Sequence, residues 1–192
     1  MQISEPAEYI ILGLLKNRPM HGYEMFQHFE GGTLGQILHL EMSQMYAFLK
    51  KLERLHYIEA QLEPQGTRPP RKVYHLTKQG HDLFLHWLTQ PVEKPRDVRI
   101  LFLIKLYFVR LYLPEQIPNL LSQEILACQQ FLKRLESKYY TNSESGKIDS
   151  FERVILSSRI HHTRSLLEWI YTLQVEMVED YASDNIKRKH GL

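Results

Sequence analysis

The sequence has little cysteine, little net charge and no long apolar run. Cys128 is the single cysteine among 192 residues, which excludes a disulfide within the chain and favours a reducing compartment. The most apolar stretch, Val98–Leu113, is interrupted by basic residues and is shorter than the ~20 residues that a membrane span needs. The N-terminus lacks the basic region that opens a signal peptide. These absences predict a soluble, cytoplasmic protein with no membrane segment.

Motifs of catalysis and metal binding are also missing. The sequence contains no G-x-S-x-G, no phosphate-binding loop and no Cys-x-x-Cys. His161 and His162 are adjacent on a predicted helix, where their side chains point about 100° apart and cannot easily share one ion. Cys128 lies on an apolar seam, where inert packing is one interpretation and a redox role the other. We therefore expect no enzyme, no metal and no cofactor.

The sequence is organised around Glu41–Ile58, which predicts a strongly amphipathic helix. Its apolar residues recur every three or four positions and share one face: Met45, Phe48, Leu49, Leu52 and Leu55. The opposite face begins small and polar and ends basic: Ser43, Ala47, Lys50, Lys51 and Arg54. We expect Ser43 to cap the first turn. Short residues let a helix approach base edges and Lys or Arg reach phosphates, although an ordinary solvated face carries similar charges.

The neighbouring elements have the order of a winged helix-turn-helix. Glu5–Lys16 predicts a first helix, and His21 starts a second with Tyr23, Phe26 and Phe29 as inward candidates. A loop is expected from Glu30 to about Leu40, which makes the amphipathic helix the third.

A hairpin and a further helix follow. Tyr57–Glu63 and Arg71–Leu76 alternate in polarity around a Pro/Gly turn cluster, which predicts two strands. Thr77 is then expected to cap a fourth helix, whose inner face would be Leu83, Phe84, Trp87 and Leu88.

The positive charge is local. Residues 1–91 carry nine Lys plus Arg and nine Asp plus Glu, whereas Lys50 to Lys78 has seven basic residues against three acidic ones. The excess falls on the third helix and the hairpin loop, the elements that a winged helix lays against DNA. Arg68 and Arg71 flank Pro69-Pro70, a stiff loop that would hold both guanidinium groups outward. The order of the elements, the hairpin that would form the wing and the local positive charge together predict binding to double-stranded DNA.

Four stretches of the sequence are similar to the PadR family of bacterial transcription regulators, over about residues 8–90. They are ILGLL at Ile11–Leu15, HGYE at His21–Glu24, SQMYAFLKKLERLHYI at Ser43–Ile58 and RPPRKVYHLTKQG at Arg68–Gly80. The resemblance implies a winged helix-turn-helix repressor that acts as a dimer on a palindromic operator. The candidate DNA-binding residues are Tyr23, Ser43, Gln44, Tyr46, Lys50 and Arg54, with Arg68, Arg71 and Lys72 in the wing.

Three of these positions need comment. His56 stands where the family usually has Gly after the recognition helix, a position that favours a left-handed C-cap, so we expect a slightly different helix exit. Tyr23 and Tyr46 each have two interpretations: phosphate contact, or a half-buried core tyrosine whose hydroxyl reaches the surface.

The second half of the chain predicts a separate all-α domain. The predicted organisation is a winged-helix domain at residues 1–90, a linker at 91–96 and a helical domain at 97–192. Asp97–Tyr112 is expected to be a buried helix. Pro114 opens the next helix, with a heptad-like seam at Leu121, Ile125, Cys128, Leu132, Leu135 and Tyr139. After a loop at Thr141–Ile148, the last helix, Ser150–Tyr181, has a predicted inner stripe of Phe151, Val154, Ile155, Ser158, His162, Leu166, Trp169, Leu173 and Met177.

Long helices with apolar seams commonly pair with a second copy, so we expect a homodimer through the C-terminal helices, the alternative being a monomeric core. The larger PadR-like proteins have a dimerising helical domain of this kind, and some relatives bind phenolic or aromatic compounds between the two domains. The candidate pocket residues are Trp87, Phe102, Tyr107, Phe108 and Trp169, unless they are plain core. The alternative function is a protein-interaction module that kept the winged helix and lost DNA binding.

Overall fold

The computed structural model describes residues 3–66, 68–92, 95–144 and 149–189. The chain forms two compact units, one of Met1–Thr89 with Ile100–Phe108 and one of Gln90–Arg99 with Val109–Leu192. The fold is mainly helical, with one small antiparallel sheet. The linker at residues 91–96 stays a prediction, because the two units alternate along the chain in this region. The helix that we expected from Asp97 begins at Pro95.

Helix α1 (Pro6–Asn17) is the centre of the first unit. Ile10, Ile11 and Leu12 have no exposed surface, because α1 packs against α4 (Met42–Arg54) and α5 (Lys78–Thr89). Gly13 allows a further close approach, since a Cβ there would lie 2.3 Å from the Phe108 ring.

Two short helices precede α4. They are α2 (Gly22–Glu30) and α3 (Thr33–Ile37), and α3 lies where we expected a loop. Five residues are too few to show a helical period, although Leu34 is buried. The recognition helix is therefore the fourth helix of the chain. Within α2, Phe29 faces the core as predicted, Phe26 is intermediate and Tyr23 is exposed, so the inward prediction for Tyr23 was wrong.

The wing is a three-stranded antiparallel sheet in the order β1-β3-β2, formed by β1 (Met20–His21), β2 (Ile58–Gln65) and β3 (Arg68–Leu76). The sequence predicted this hairpin, but with shorter strands than the structure has. It did not predict β1, because two residues are too few to show an alternation of polar and apolar side chains. Ala60 and Met20 both pair with Tyr74, and Leu62 pairs with Lys72.

The helix-to-strand transition after α4 is a Schellman motif. The Tyr57 N–H donates to the Leu52 carbonyl at 3.1 Å and the His56 N–H to the Glu53 carbonyl at 3.0 Å. His56 has φ 59°, the left-handed conformation that glycine favours. The expected change of helix exit was therefore wrong, because the surrounding structure holds His56 in the conformation of the residue that it replaces.

Helix α5 begins as predicted. The Thr77 hydroxyl oxygen accepts from the Gly80 N–H at 3.1 Å and caps the helix. Phe84 and Leu88 are buried, whereas Leu83 and Trp87 are only partly so.

The second unit contains the ends of α6 (Pro95–Tyr112), a short 3-10 turn (Pro114–Gln116), α7 (Ile117–Glu144) and α8 (Ser150–Lys189). The predicted loop was too early, since α7 continues to Glu144, and residues 145–148 lie outside the described ranges. Helices α7 and α8 pack on each other. The predicted seam of α7 is inward: Leu121, Ile125, Cys128 and Leu135 are buried, and Leu132 and Tyr139 partly buried.

The predicted inner stripe of α8 was wrong for most of its residues. Helix α8 buries a different face, formed by Leu156, Ile160, Thr163, Leu167 and Ile170. Most of the predicted stripe is exposed, with Phe151 at 67% and Val154 at 60%, whereas Leu166, Leu173 and Met177 are partly buried. Because α8 carries apolar residues on two faces, its periodicity alone does not tell which face the folded chain buries.

Candidate nucleic-acid interface

Helix α4 presents one face to the core and the other to solvent. Met45, Leu49 and Leu52 have no exposed surface. The candidate DNA-binding residues of this helix are all exposed: Ser43, Gln44, Tyr46, Lys50 and Arg54. The short Ala47 is exposed among them, so the centre of the face leaves room for a close approach to a nucleic acid.

The N-terminus of α4 is capped by Glu41 and not by Ser43, so the predicted cap was wrong. The Glu41 side chain accepts from the backbone N–H of Gln44, and the Gln44 Oε1 accepts from the Glu41 N–H at 2.9 Å, a reciprocal capping box. Ser43 is thereby left exposed on the first turn. Gln44 has a structural role in addition to its place on the outer face.

Lys51 does not belong to the outer face. Its ammonium group lies 2.5 Å from the carboxylate of Glu8, a residue of α1 without exposed surface. The sequence pattern placed Lys51 beside Lys50, but a long side chain at the edge of a helix can turn to either side. The folded protein uses Lys51 to hold α4 on α1 and leaves Lys50 at the surface.

Tyr23 and Tyr46 are both surface residues. Their exposed fractions are 50% and 44%, so each side chain is about half covered, and phosphate contact and the half-buried core tyrosine both remain open as interpretations. The Tyr23 hydroxyl accepts from the Gln27 side chain at 3.0 Å. Tyr46 packs over Gly22, where a Cβ would lie 2.7 Å from the tyrosine ring. Gly22 thus lets the start of α2 approach α4, which fits a glycine in the HGYE motif.

The wing cations are paired with carboxylates. The Arg71 guanidinium lies 3.6 Å from Glu63 on the neighbouring strand, and the Lys72 ammonium 3.4 Å from Glu53 on α4. The second pair ties the wing to the recognition helix, and the sequence pattern had assigned Glu53 no role. Both pairs are exposed, so solvent screens them and each cation can exchange its carboxylate for another anion. The Arg68 side chain lies outside the described part of the structure.

A cluster of polar side chains beside α2 was also not predicted. Arg18 donates to Glu24 at 2.5 Å and lies 3.2 Å from the His28 ring. The His21 Nδ1 accepts from the Glu24 N–H at 3.2 Å and caps α2. Burial alone would raise the pKa of Glu24, but the Arg18 hydrogen bond and charge, with His21, outweigh it and hold that pKa below its ordinary value.

The cysteine is buried in the second unit. Burial is the main cause that raises the pKa of the Cys128 thiol to about 12, and the neighbouring Glu124 carboxylate adds to it. The thiolate, which is the reactive form, is therefore scarce at neutral pH. This environment favours the interpretation of Cys128 as inert packing.

An amphipathic helix held by its apolar face, followed by a hairpin tied to the same helix, is the arrangement of the winged-helix fold, which many DNA-binding proteins use. Residues 11–85 match the family model of the transcriptional regulator PadR-like family. The negative transcriptional regulator PadR of Bacillus subtilis (strain 168) is 26% identical over 179 residues, which cover 90% of this chain and 98% of that protein. Residues 11–85 thus resemble the PadR-like family of transcriptional regulators, and the similarity to the Bacillus subtilis regulator extends over nearly the whole chain.

Solved structures of the family are similar along most of the chain. The crystal structure of Bacillus subtilis PadR in complex with operator DNA is 25% identical with a TM-score of 0.46, covering 92% of this chain and 99% of that one. The complex of the same protein with p-coumaric acid is 22% identical with a TM-score of 0.40, covering 90% and 99%. A PadR-like regulator from Bacillus cereus is 24% identical with a TM-score of 0.42, covering 92% and 98%.

Two further properties concern only the described ranges. Within them, no helix combines the length and apolarity required to cross a membrane. The same part of the chain brings together no group of three or more His, Cys, Asp or Glu side chains that could hold a metal ion.

Proposed function

We propose that this chain is a homodimeric, sequence-specific repressor that binds a palindromic operator. The observation that carries the proposal is the exposed face of α4, small at Ala47 and basic at Lys50 and Arg54, with the wing fastened beside it through Lys72 and Glu53. Repression is supported by the relative from Bacillus subtilis, which is named a negative transcriptional regulator. Such a protein acts where the DNA is, in the bacterial cytoplasm.

The candidate residues divide into two roles. Ser43, Gln44 and Lys50 lie along the exposed side of α4 and would face base edges in the major groove. Two tyrosine hydroxyls and the remaining cations would contact phosphates, which fix the position of the protein without reading sequence: Tyr23, Tyr46, Arg54, Arg68, Arg71 and Lys72. Because Gln44 is also part of the cap, we expect its replacement to weaken helix α4 and change sequence preference together.

The dimer is supported by the exterior of α8. Phe151, Val154 and Ile155 are large apolar side chains on one exposed face, and Trp169 continues that face. Exposed apolar patches of this kind mark protein-protein contacts. A second copy offers the same patch, and a two-fold dimer would place two recognition helices in successive major grooves about 34 Å apart.

We also propose that a small aromatic ligand controls the binding of this chain to its operator. Trp87 is partly exposed, stacks on Tyr9 with ring centroids 4.0 Å apart, and lies 4.1 Å below the Lys105 ammonium group. The Lys105 side chain is buried and donates to the Trp87 carbonyl, so these residues form a packed cluster, and the support for the ligand is the solved complex of Bacillus subtilis PadR with p-coumaric acid. We expect p-coumaric acid to weaken binding to the operator. Unchanged operator affinity at millimolar p-coumaric acid would remove this ligand from the proposal.

The proposal is tested by selecting bound duplexes from a random DNA pool and titrating the selected duplex at several salt concentrations. We expect a palindrome with half-sites about 10 bp apart, and an affinity that falls with salt at a slope near −0.9 per phosphate contacted. No enrichment and no salt-dependent binding would contradict DNA recognition and leave the protein-interaction module as the function.

The wing is tested separately with the double change Arg68→Ala and Arg71→Ala. We expect weaker binding to all duplexes alike and a flatter salt slope, because phosphate contacts carry no sequence information. Lys50→Ala is the matched comparison and should change which duplex is preferred. Unchanged affinity in the double variant would exclude these arginines from the interface.

A further inference from the structure

The Glu63–Arg71 pair lies at the outer end of the regular part of the wing. The two residues are directly opposite each other in the register of β2 and β3, and 3.6 Å separates the Arg71 guanidinium from the Glu63 carboxylate. A register shift follows between Glu63 and Gln65, so the pair is next to the turn of the hairpin. Arg71 is also one of the wing cations that we expect to contact phosphates.

The fold does not need this pair to join the two strands. The antiparallel ladder already connects β2 and β3 along the hairpin. The pair of Lys72 with Glu53 differs, because it joins the wing to another element, α4. The Glu63 and Arg71 side chains are 49% and 44% exposed, and an exposed pair of this kind adds little stability. Its main effect is therefore on where the Arg71 guanidinium is held.

The Glu63 carboxylate competes with phosphates for that guanidinium. A phosphate of a loosely bound duplex stays hydrated and more distant, so solvent and salt screen its attraction and Arg71 remains with Glu63. A phosphate within hydrogen-bonding distance displaces the carboxylate, because a charge-assisted bond to arginine at about 2.8 Å is stronger than a screened pair at 3.6 Å. Glu63 thus opposes loose contacts more than close ones.

We propose that Glu63 is a specificity-determining residue, which suppresses binding to duplexes that lack the operator. The inference rests on the proposed DNA binding. Binding to an unrelated duplex comes almost entirely from phosphate attraction, whereas in the operator complex the recognition helix is seated in the groove and holds the wing close to the backbone. A carboxylate that weakens the loose mode more than the close one raises the ratio of operator affinity to non-specific affinity.

The inference is tested by removing one carboxylate at a time from the full-length chain. Glu63→Gln keeps the size of the side chain and removes its charge, and Glu59→Gln is the matched control. Glu59 is exposed on the same strand but lies opposite His75, whereas Glu63 lies opposite Arg71. Affinities are measured for the selected duplex and for a duplex of unrelated sequence and equal length, at several salt concentrations.

We expect Glu63→Gln to bind the unrelated duplex roughly threefold more tightly than the wild type at low salt, with a steeper salt slope. The gain for the selected duplex should be smaller, so the ratio of the two affinities falls. Glu59→Gln removes the same charge without releasing an arginine and should leave that ratio unchanged. An equal fall of the ratio in Glu59→Gln would overturn the inference, because net charge alone would then explain the effect.

Arg71→Gln tests whether Glu63 acts through its partner. In this background Glu63→Gln should no longer change the ratio, because no guanidinium is left to release. A fall that persists there would exclude the pair as its cause, and an unchanged ratio in Glu63→Gln alone would exclude Glu63 as a specificity residue. A wild-type chain that binds neither duplex would contradict the proposed DNA binding and this inference with it, and that result is recognised before any variant is measured.

Discussion

The ammonium group of Lys51 lies 2.5 Å from the carboxylate of Glu8, which has no exposed surface. The other oxygen of Glu8 accepts from the backbone N–H groups of Ser4 and Glu5, at 2.8 and 3.0 Å. The carboxylate thus caps the first turn of α1 and holds the recognition helix on it. The contact with Lys51 is an ion pair without a well-directed hydrogen bond to the Glu8 Oε1.

Lys50 and Lys51 form a matched pair for separating stability from binding. Lys51→Ala leaves a buried carboxylate without its cation, so we expect a loss of about 3 kcal/mol in the free energy of unfolding. Lys50→Ala removes an exposed charge and should change that free energy by less than about 0.5 kcal/mol. Denaturant titration of both variants measures the two values. Equal losses of unfolding free energy in the two variants would show that the Lys51–Glu8 ion pair does not stabilise the fold more than an exposed lysine does.

The same pair predicts opposite effects on DNA. Lys50→Ala should weaken operator binding, because Lys50 lies on the exposed face of α4. Lys51→Ala should leave the affinity of the folded fraction unchanged, because its side chain faces α1. Binding is measured by titration at a temperature where both variants are folded. A larger loss of affinity in Lys51→Ala would place Lys51 at the interface.

His56 predicts a stabilising substitution. Its φ of 59° is unfavourable for a residue with a Cβ, so His56→Gly should raise the free energy of unfolding by about 1 kcal/mol. His56→Ala keeps the Cβ and serves as the control, which should give no such gain. Thermal unfolding measures both variants. If His56→Gly is less stable than the wild type, the interactions of the His56 side chain stabilise the fold by more than its left-handed backbone conformation destabilises it.

Glu24 predicts a small dependence of stability on pH. Its pKa is held below the ordinary value of 4.5, so its charged form stabilises the folded state above that pH, and this contribution is lost as pH falls through the folded-state pKa. Glu24→Gln should therefore be less stable than the wild type at pH 7 and equal to it in strong acid. The pair with Arg18 is largely exposed, so the difference should stay under about 1 kcal/mol. A constant difference at every pH would refute the assignment.

We expect the buried Cys128 thiol to react slowly with thiol-directed reagents. With its pKa raised to about 12, the folded thiol should react with a thiol-directed reagent at pH 8 at least about a hundredfold more slowly than the unfolded chain. Because the folded pKa is the higher one, the contribution of the thiol to stability is complete below the unfolded value and declines as pH rises towards 12. Rapid modification of the native protein would restore a redox role as an explanation.

Particular residues show where the sequence was informative and where it was not. The apolar period of Met45, Leu49 and Leu52 predicted the buried face of α4, because burial follows a repeat of three and four positions. The cap was wrongly predicted at Ser43, since Glu41 also precedes the apolar run and only the backbone path selects between them. The short elements α3 and β1 carried no periodic signal at all.

The sequence by itself determined which face of α4 is apolar, where the hairpin turns and where the positive charge is concentrated, because these properties are local. Only the tertiary structure decided that Lys51 turns inward to Glu8, that His56 adopts a left-handed conformation, and which of the two apolar faces of α8 the chain buries. Lys51 depends on a residue distant in the chain, His56 on the hydrogen bonds that close the end of α4, and α8 on the competition between two packing surfaces; none of these is encoded in a local period.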